Sequence, residues 1–307
     1  MSHKKVVFMG TPEFSVSILE AIAESSYKVS CVYTQAAKKS NRGQKLNISP
    51  IHKCADNLKL IIRNPKNLNS DEEFEFIKKL NPDIVIVVAY GQLISEKFLN
   101  IPKKGFINIH ASLLPKWRGA APIQRSIMNL DMETGISIMQ ITKELDAGPV
   151  MKKIKIKINE TTTTEEILKN LSKIGSETIV EILDNIFNEK AEFIEQDHKL
   201  ATYAKKIKKN EAKICWKESA SEILAKINGL NPTPGAWFTY KENRYKIWRA
   251  KIHEKSGLPG SILDNNFTIS CGSKSIEIIE IQKEGKNRLL LKNFLTGINF
   301  YQGDVLK

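Results

Sequence analysis

Short apolar runs alternate with amphipathic segments along the first 190 residues. The apolar runs have the size of strands buried in a parallel sheet, and they lie at 5–9, 29–33, 84–90, 106–110 and 133–141. Segments with helical spacing separate them, at 13–25, 51–57, 69–80, 121–129 and 164–187. This alternation predicts an α/β domain built on a doubly wound, mostly parallel sheet.

Three local patterns refine this prediction. Ser70 stands three residues before Glu73 and is expected to cap the helix that ends near Leu80. Gly175 lies in the middle of the 164–187 segment, where a glycine predicts a break or a bend. Isoleucines alternate with lysines over residues 150–158, which is typical of a half-exposed edge strand.

The last third of the chain has a different pattern. One amphipathic helix is expected at 219–228, and short strand-like runs separated by turns follow at 237–240, 245–252, 260–263, 267–270, 276–282 and 288–291. Such a set predicts a smaller OB-like β-barrel. The change in character divides the chain into a catalytic domain at 1–188, a linker at 189–209 and a C-terminal domain at 210–307.

Composition places the chain among soluble globular proteins. The hydrophobic fraction is 41%, and no run approaches the roughly 20 apolar residues that span a bilayer. The first five residues lead directly into a strand, so we expect no signal peptide. The four cysteines are scattered without a Cys-x-x-Cys pair, which fits reduced thiols in the cytoplasm and argues against a zinc site.

The positive charge is concentrated toward the end of the chain. The net charge is +13 overall, and residues 201–307 hold 19 Lys and Arg against 10 Asp and Glu. A local surplus of this kind indicates a surface for a polyanion such as nucleic acid. The alternative is a generally lysine-rich composition, in which lysines fill surface positions without a specific function. The charge alone leaves both interpretations open.

Candidate chemistry lies between residues 108 and 146. Asn108 and His110 are two residues apart, so a strand directs both side chains to one face and the neighbouring isoleucines to the other. Asp146 follows a later strand, in a turn containing Gly148. An amide, an imidazole and a carboxylate suit attack on a carbonyl-like carbon. The structural alternative is that these residues cap a turn and a helix.

Motifs spread over the whole chain resemble the folate-dependent formyltransferases. They read Asn108-Ile-His110-Ala-Ser112-Leu-Leu-Pro115, Trp117-Arg118-Gly119-Ala-Ala-Pro-Ile-Gln124 and Leu145-Asp146-Ala-Gly148-Pro149. The second motif, with its Arg-Gly-Ala-Ala-Pro-Ile-Gln sequence, is similar to the branch of this family that acts on methionyl-tRNA. Gly10-Thr11-Pro12-Glu13-Phe14 near the start and Asn231-Pro232-Thr-Pro234-Gly235-Ala-Trp237 in the last third are similar to that branch as well.

The resemblance implies a reaction and its residues. A formyl group would pass from 10-formyltetrahydrofolate to the α-amine of methionyl initiator tRNA, without a metal. Asn108 and a protonated His110 would stabilise the oxyanion, and Asp146 would orient His110 and help move a proton. Folate would bind at Ser112, Leu113, Leu114 and Pro115. The tRNA would contact the basic loop at 34–50 through Arg42 and, more weakly, Lys38, Lys39 and Lys45.

Two other functions stay open at this point. A formyltransferase for a small amine, such as a glycinamide ribonucleotide or an amino sugar, shares the same catalytic core but needs no basic loop. An RNA-binding protein with a degenerate enzymatic domain is a third interpretation, which the intact Asn108, His110 and Asp146 disfavour. The resemblance also leads us to expect a monomer without a membrane partner.

Overall fold

The computed structural model describes residues 4–40, 45–296 and 300–306, and for residues 38–40 and 45–46 it describes the backbone alone. The chain folds into two compact units, each assembled from separate stretches of sequence. The first consists of Met1–Gly119, Gly135–Lys155 and Leu168–Tyr203, and the second of Ala120–Thr134, Ile156–Ile167 and Ala204–Lys307. The division into functional domains at 1–188, 189–209 and 210–307 stays a prediction.

The strands follow the apolar runs closely. They are β1 (Lys5–Gly10), β2 (Lys28–Tyr33), β3 (Lys38–Ser40), β4 (Lys45–Asn47), β5 (Ile62–Arg63), β6 (Ile84–Val88), β7 (Phe106–His110), β8 (Arg118–Gly119), β9 (Glu133–Gln140), β10 (Val150–Lys157), β11 (Tyr203–Ala204), β12 (Ala236–Tyr240), β13 (Asn243–His253), β14 (Thr268–Ser270), β15 (Ser275–Lys283) and β16 (Leu289–Leu290).

The helices lie between the strands, as the spacing predicts. They are α1 (Val16–Ala23), α2 (Pro50–Asn57), α3 (Asp71–Leu80), α4 (Glu96–Leu99), α5 (Pro122–Met128), α6 (Thr164–Phe187), α7 (Ala220–Gly229) and α8 (Leu291–Phe294), with short 3-10 helices at Glu13–Ser15, His198–Leu200 and Lys209–Ala212. Ser70 caps α3 as expected, because its Oγ accepts the backbone N–H of Glu73.

The first unit contains a seven-stranded sheet in the order β10-β9-β7-β6-β1-β2-β5. The pairings of β1 with β2 and β6, of β2 with β5, and of β6 with β7 are parallel, whereas β9 pairs with β7 in the antiparallel direction. Strand β10 lies at one edge of the sheet, as its alternating pattern predicts. Strand β7 has a neighbour on each side, so its backbone is held in a defined register.

Both faces of this sheet are covered. Val7 and Met9 of β1 pack in one cluster with Ile77 of α3. The residues between them on the strand, Val6 and Phe8, are equally buried. Burial on both faces explains why the central strands read as continuous apolar runs, and it confirms the predicted α/β class.

Two features of the first unit differ in part from the expectations. Helix α6 continues through Gly175 without the predicted break. The glycine allows close packing, because a Cβ at this position would lie 2.7 Å from Cδ1 of Ile18 on α1. The 34–50 segment, expected as a basic loop, contains the antiparallel pair β3–β4.

The second unit contains an antiparallel sheet with the order β12-β13-β15-β14, to which β16 adds beside β15. Helix α7, capped by a reciprocal pair between Ser219 and Glu222, contacts β13 and β15. The predicted strand at 260–263 forms only isolated bridges within the described residues, at Ser261 and Ile262, after Gly260 turns the backbone with a φ of +88°. The sheet agrees with the predicted OB-like class.

Across the described ranges of both units, no helix has both the length and the apolar composition needed to cross a bilayer.

A half-buried ion pair in the second unit gives a pH-dependent prediction. Arg125 Nη1 donates to Glu211 Oε2 at 2.7 Å, and the backbone N–H of Lys208 donates to Oε1 at 2.7 Å. The hydrogen bond from Arg125 is the main cause that lowers the pKa of Glu211. A lowered pKa in the folded state contributes stability above the unfolded value of about 4.3, and this stability is lost as the pH falls through the folded value.

We therefore expect Glu211→Gln to lower the free energy of unfolding by about 1 kcal/mol at pH 7. The difference from the unsubstituted protein should shrink below about pH 4. Urea unfolding at several pH values measures it. Glu242→Gln, in the exposed turn between β12 and β13, removes the same charge and serves as the control; an equal effect of both substitutions would contradict the assignment.

Candidate active site

Strand β7 presents the two polar side chains as its spacing predicts. Ile107 and Ile109 are buried on one face, and Asn108 and His110 lie on the other, toward the carboxyl end of the strand. His110 is 6% exposed, and Asn108 is half-buried. The imidazole and the amide are therefore fixed by the backbone of a strand that is paired on both sides.

Asp146 joins this pair. Its Oδ2 lies 3.6 Å from Nδ1 of His110, and its Oδ1 lies 3.5 Å from Nδ2 of Asn108. The backbone N–H of Gly119 donates to Oδ2 at 2.9 Å. The structure thus brings together the three residues that the sequence singled out, with the carboxylate between the amide and the imidazole.

The imidazole of His110 has a second partner, on the side away from Asp146. Nε2 of His110 lies 3.0 Å from the carbonyl oxygen of Trp117. A carbonyl oxygen only accepts hydrogen bonds, so Nε2 carries a proton. Nδ1 is then the ring nitrogen that faces the carboxylate of Asp146.

The segment between β7 and Trp117 is braced internally. Ser112 Oγ donates to the carbonyl of Lys116 at 2.6 Å, and Ser137 Oγ donates to the carbonyl of Ser112 at 2.7 Å. Ser112 and Leu114 are buried, while Leu113 and Pro115 are half-buried. The hydroxyl of Ser112 therefore holds the turn, and a ligand would meet the backbone or the half-buried side chains. The assignment of these four residues to folate binding stays a prediction.

A buried clamp that sequence reasoning missed positions Asp146. Arg118, which is 2% exposed, donates through Nη2 to Gln196 Oε1 at 2.8 Å and lies 3.3 Å from Nδ1 of His198. Gln196 Nε2 in turn donates to the carbonyl oxygens of Asp146 at 2.9 Å and Gly148 at 2.7 Å. The only signal in the sequence is that Arg118 stands inside the motif, since Gln196 is 78 residues away.

The backbone of the site is strained at two positions. Trp117 has a φ of +63° and Asp146 a φ of +49°, which are uncommon for residues other than glycine. Such conformations persist where the surroundings determine them, and they cluster at functional sites. Here the carbonyl of Trp117 and the carboxylate of Asp146 both point to His110.

The other candidate residues lie on the 34–50 segment. Arg42 lies outside the described residues. Lys38 and Lys39 belong to β3 and Lys45 to β4, and only their backbone is described. Their contact with tRNA stays a prediction.

The antiparallel sheet of the second unit carries cations over aromatic rings. The Arg244 guanidinium lies 4.0 Å from the centre of the Trp237 ring, and Lys246 lies 5.3 Å from that of Trp248. Trp237 pairs with Lys246 across β12 and β13. Trp237 is half-buried, whereas Trp248 is buried. The surface is a candidate for stacking and phosphate contacts.

No group of three or more His, Cys, Asp or Glu side chains with the geometry of a metal site occurs among residues 4–40, 45–296 and 300–306. A cleft of about 590 Å³ lies where β7 begins, beside Gly105 and Gln140, and none of the three converging residues lines it.

Comparisons with known proteins agree with the motifs. The formyl transferase family model matches residues 4–183, and the model of the formyl transferase C-terminal domain matches residues 206–299. The methionyl-tRNA formyltransferase of Pelagibacter ubique is 53% identical, over 98% of this chain and 97% of that protein. That of Roseobacter denitrificans is 39% identical over 99% of both chains. These matches span both units.

A solved structure shares the fold. The N-formyltransferase of Helicobacter canadensis, determined with folinic acid and dTDP-3-aminofucose, superposes with a TM-score of 0.70. The likeness covers 90% of this chain and 99% of that one, at 20% identity. At this identity the comparison supports the architecture alone.

The clamp gives a prediction that is independent of activity. Gln196→Glu keeps an acceptor for Arg118 but removes both donors to the 146–148 turn, so the turn should open more often. We expect amide hydrogen exchange in residues 144–150 and at Gly119 to become at least about tenfold faster, which corresponds to losing one hydrogen bond of about 1.4 kcal/mol. Mass spectrometry measures it.

Gln92→Glu is the matched control. Gln92 Nε2 donates to the carbonyl of Pro65 and its Oε1 accepts the N–H of Leu68, so faster exchange should be confined to the 65–68 and 90–95 segments. Unchanged exchange at 144–150 in Gln196→Glu would show that the clamp does not hold Asp146.

Proposed function

The chain belongs to the formyl transferase family, and from this premise we propose how its residues act on a methionyl-tRNA acceptor and a folate donor. The enzyme transfers a formyl group to the α-amine of methionyl initiator tRNA. Its likeness to relatives of that name extends over nearly its full length. The observation that carries the catalytic assignment is the convergence of Asn108, His110 and Asp146 within 3.6 Å.

The donor is 10-formyltetrahydrofolate, which supplies an activated formyl group attached to nitrogen. Strands β6 and β7 are parallel neighbours, so the segments after them share one edge of the sheet, where ligands of such folds bind. The segment after β6 offers the exposed backbone of Gly91 and the exposed side chain of Leu93. The segment after β7 offers Leu113 and Pro115. A flat ring with polar edges fits between such segments.

Asn108 and His110 act on the charge that develops during transfer. The neutral amine attacks the formyl carbon, a carbon–nitrogen bond forms, and the carbonyl oxygen becomes negative. Nδ2 of Asn108 and a protonated Nδ1 of His110 donate hydrogen bonds to this oxygen. Each preorganised donor of this kind contributes about 3 kcal/mol, or roughly a hundredfold in rate.

Asp146 completes the proton path. Breaking the bond to the folate nitrogen requires one proton there, and the attacking amine releases one. Nε2 of His110 is engaged by the carbonyl of Trp117, so Nδ1 is the nitrogen that gives a proton to the folate nitrogen and takes up the proton that the amine releases. Nδ1 lies beside the carboxylate of Asp146. Asp146 stabilises the imidazolium while the ring remains fixed by the carbonyl.

Two basic surfaces serve the tRNA acceptor. The β3–β4 hairpin carries Lys38, Lys39 and Lys45, and Arg42 lies between them in the sequence. In the second unit, Arg244 and Lys246 lie beside Trp237, where cations bind phosphates and the ring stacks on a base. The expectations of a monomeric, cytoplasmic enzyme stay predictions.

A small-amine acceptor is the competing assignment, because sugar N-formyltransferases share the fold. The test is formylation of methionyl initiator tRNA, aminoacyl elongator tRNA, free methionine and an amino sugar nucleotide, measured side by side. We expect transfer to initiator tRNA at least a thousandfold faster, in kcat/KM, than to the small amines, since they lack the extended phosphate backbone that the basic surfaces bind (about 4 kcal/mol). Comparable rates with a small amine would overturn the assignment.

His110→Ala tests the catalytic role. We expect kcat to fall at least about a hundredfold, because one oxyanion donor and the proton carrier are lost, while the Kd for tRNA is unchanged. Single-turnover formylation and filter binding measure the two quantities. His52→Ala, on α2, is the control and should leave both unchanged. Weaker tRNA binding with normal chemistry would instead make His110 a recognition residue.

Arg42→Ala tests the hairpin. Loss of one phosphate contact should raise the KM for tRNA about fivefold or more and reduce the salt dependence of binding by about one counterion. The Kd for folate without tRNA should stay the same. Lys199→Ala, on an exposed 3-10 helix, removes the same charge and is the matched control. Equal effects of the two substitutions would show that Arg42 acts only through its charge and not through a specific contact with tRNA.

A further inference from the structure

We propose that Tyr203 is a recognition residue for the acceptor, and that its exposed ring stacks on the base of the 3′-terminal adenosine that carries the methionine. The inference rests on the proposed function, since it takes an aminoacylated tRNA as the acceptor at the site of Asn108, His110 and Asp146. It adds a contact that holds the end of the substrate beside these residues.

The segment at 194–203 runs along the candidate active site and holds it with polar groups. The buried Gln196 donates to the backbone of the turn that carries Asp146. Thr202 accepts the backbone N–H of Trp117 with its Oγ1, at 2.9 Å. The segment is therefore fixed against two parts of the site, and its outward side chains have defined positions beside it.

The outward side of this segment is unusual, because several of its exposed side chains are apolar. Ile194 and Leu200 are largely exposed, and Tyr203 is 60% exposed. Among the described residues, none forms a side-chain hydrogen bond, an ion pair or a ring contact with the tyrosine ring. One exposed apolar side chain is ordinary, whereas three within ten residues that border a candidate active site indicate a surface that a substrate covers.

Tyr203 lies one strand away from the carboxylate of the site. The residue before it, Thr202, accepts the N–H of Arg118 in β8 at 2.8 Å. The next residue of β8, Gly119, donates its own N–H to Asp146 Oδ2 at 2.9 Å. Because extended segments joined in this way lie about 4.8 Å apart, the backbone at Tyr203 is roughly 8 Å from that carboxylate.

The chemistry of the acceptor identifies what covers the ring. In an aminoacyl-tRNA, one ester joins the amino acid to the ribose of the terminal adenosine, which is unpaired. When the amine reaches a formyl carbon beside Asn108 and His110, the adenine base is only the ester and the ribose away. Unpaired bases stack on exposed aromatic side chains. A tyrosine ring across one strand from the site therefore suits this base.

The stack contributes to binding of the acceptor rather than to the chemical step. The ring touches neither the amine nor the formyl carbon, so its contribution is the same in the bound substrate and in the transition state. Uniform binding of this kind lowers KM and leaves kcat unchanged. This property separates Tyr203 from His110, whose loss is expected to lower kcat.

The test is a double-mutant cycle between the ring and the base. The full chain receives methionyl initiator tRNA, or the same charged tRNA with a terminal ribose that lacks its base, made by ligating an acylated dinucleotide to the shortened tRNA. Formylation rates at several tRNA concentrations give kcat and KM. In the unsubstituted enzyme we expect removal of the base to raise KM about tenfold, which is typical of one base stacked on an aromatic ring, with kcat unchanged.

In Tyr203→Ala, the KM for intact tRNA should rise by the same factor, and removal of the base should have no further effect. Tyr203→Phe keeps the ring and should behave like the unsubstituted enzyme. Leu200→Ala removes an exposed apolar side chain from the same segment and is the control, in which the effect of the base should persist. Thermal unfolding confirms that the variants are folded.

Two results would overturn the proposal. One is an unsubstituted enzyme whose KM does not respond to removal of the base, and the other is a full response in Tyr203→Ala. A fall in kcat in Tyr203→Ala, with the response to the base retained, would also overturn it and assign the tyrosine to support of the site. An enzyme that formylates intact methionyl initiator tRNA but shows no response lacks this contact alone, whereas one that does not formylate it contradicts the proposed function.

Discussion

The carboxylate of Asp146 is the element on which the site depends. It follows β9 in the sequence. Gln196 donates to the backbone of its turn, and the N–H of Gly119 donates to the carboxylate itself. Gln196 is in turn held by the buried guanidinium of Arg118. A buried cation with a neutral amide acceptor is costly unless its geometry is good, so this clamp depends on well-formed hydrogen bonds.

The chemistry of the site follows from which nitrogen of His110 is occupied. The carbonyl of Trp117 takes Nε2, and this arrangement requires the uncommon backbone conformation of Trp117. The imidazole thus has a partner on each side, the carbonyl of Trp117 at Nε2 and the carboxylate of Asp146 at 3.6 Å from Nδ1. That Asp146 orients the ring, favours its charged form and helps to move a proton stays a proposal.

The fold class, strand β7 and the three converging residues could be predicted from the sequence, because periodicity and spacing determine which face a side chain takes. The spacing of Ser70 and Glu73 also predicted that Ser70 caps the N-terminus of α3. The clamp of Arg118 and Gln196 could not be predicted, since a contact across 78 residues has no local pattern. The close packing at Gly175 could not be predicted for a similar reason: a glycine in the sequence does not reveal whether a helix break or a close neighbour such as Ile18 requires it.

The outermost strand of the seven-stranded sheet has a consequence for the behaviour of the protein at high concentration. Apart from the bridge between Val150 and Ile194, β10 is the last strand of this sheet, and a second molecule would add there if its side chains allowed it. Lys152 pairs with Glu181, but the exposed Lys153 and Lys157 place positive charge along this margin. Because two copies brought together there would meet like charges, the lysines disfavour growth of the sheet through its open edge.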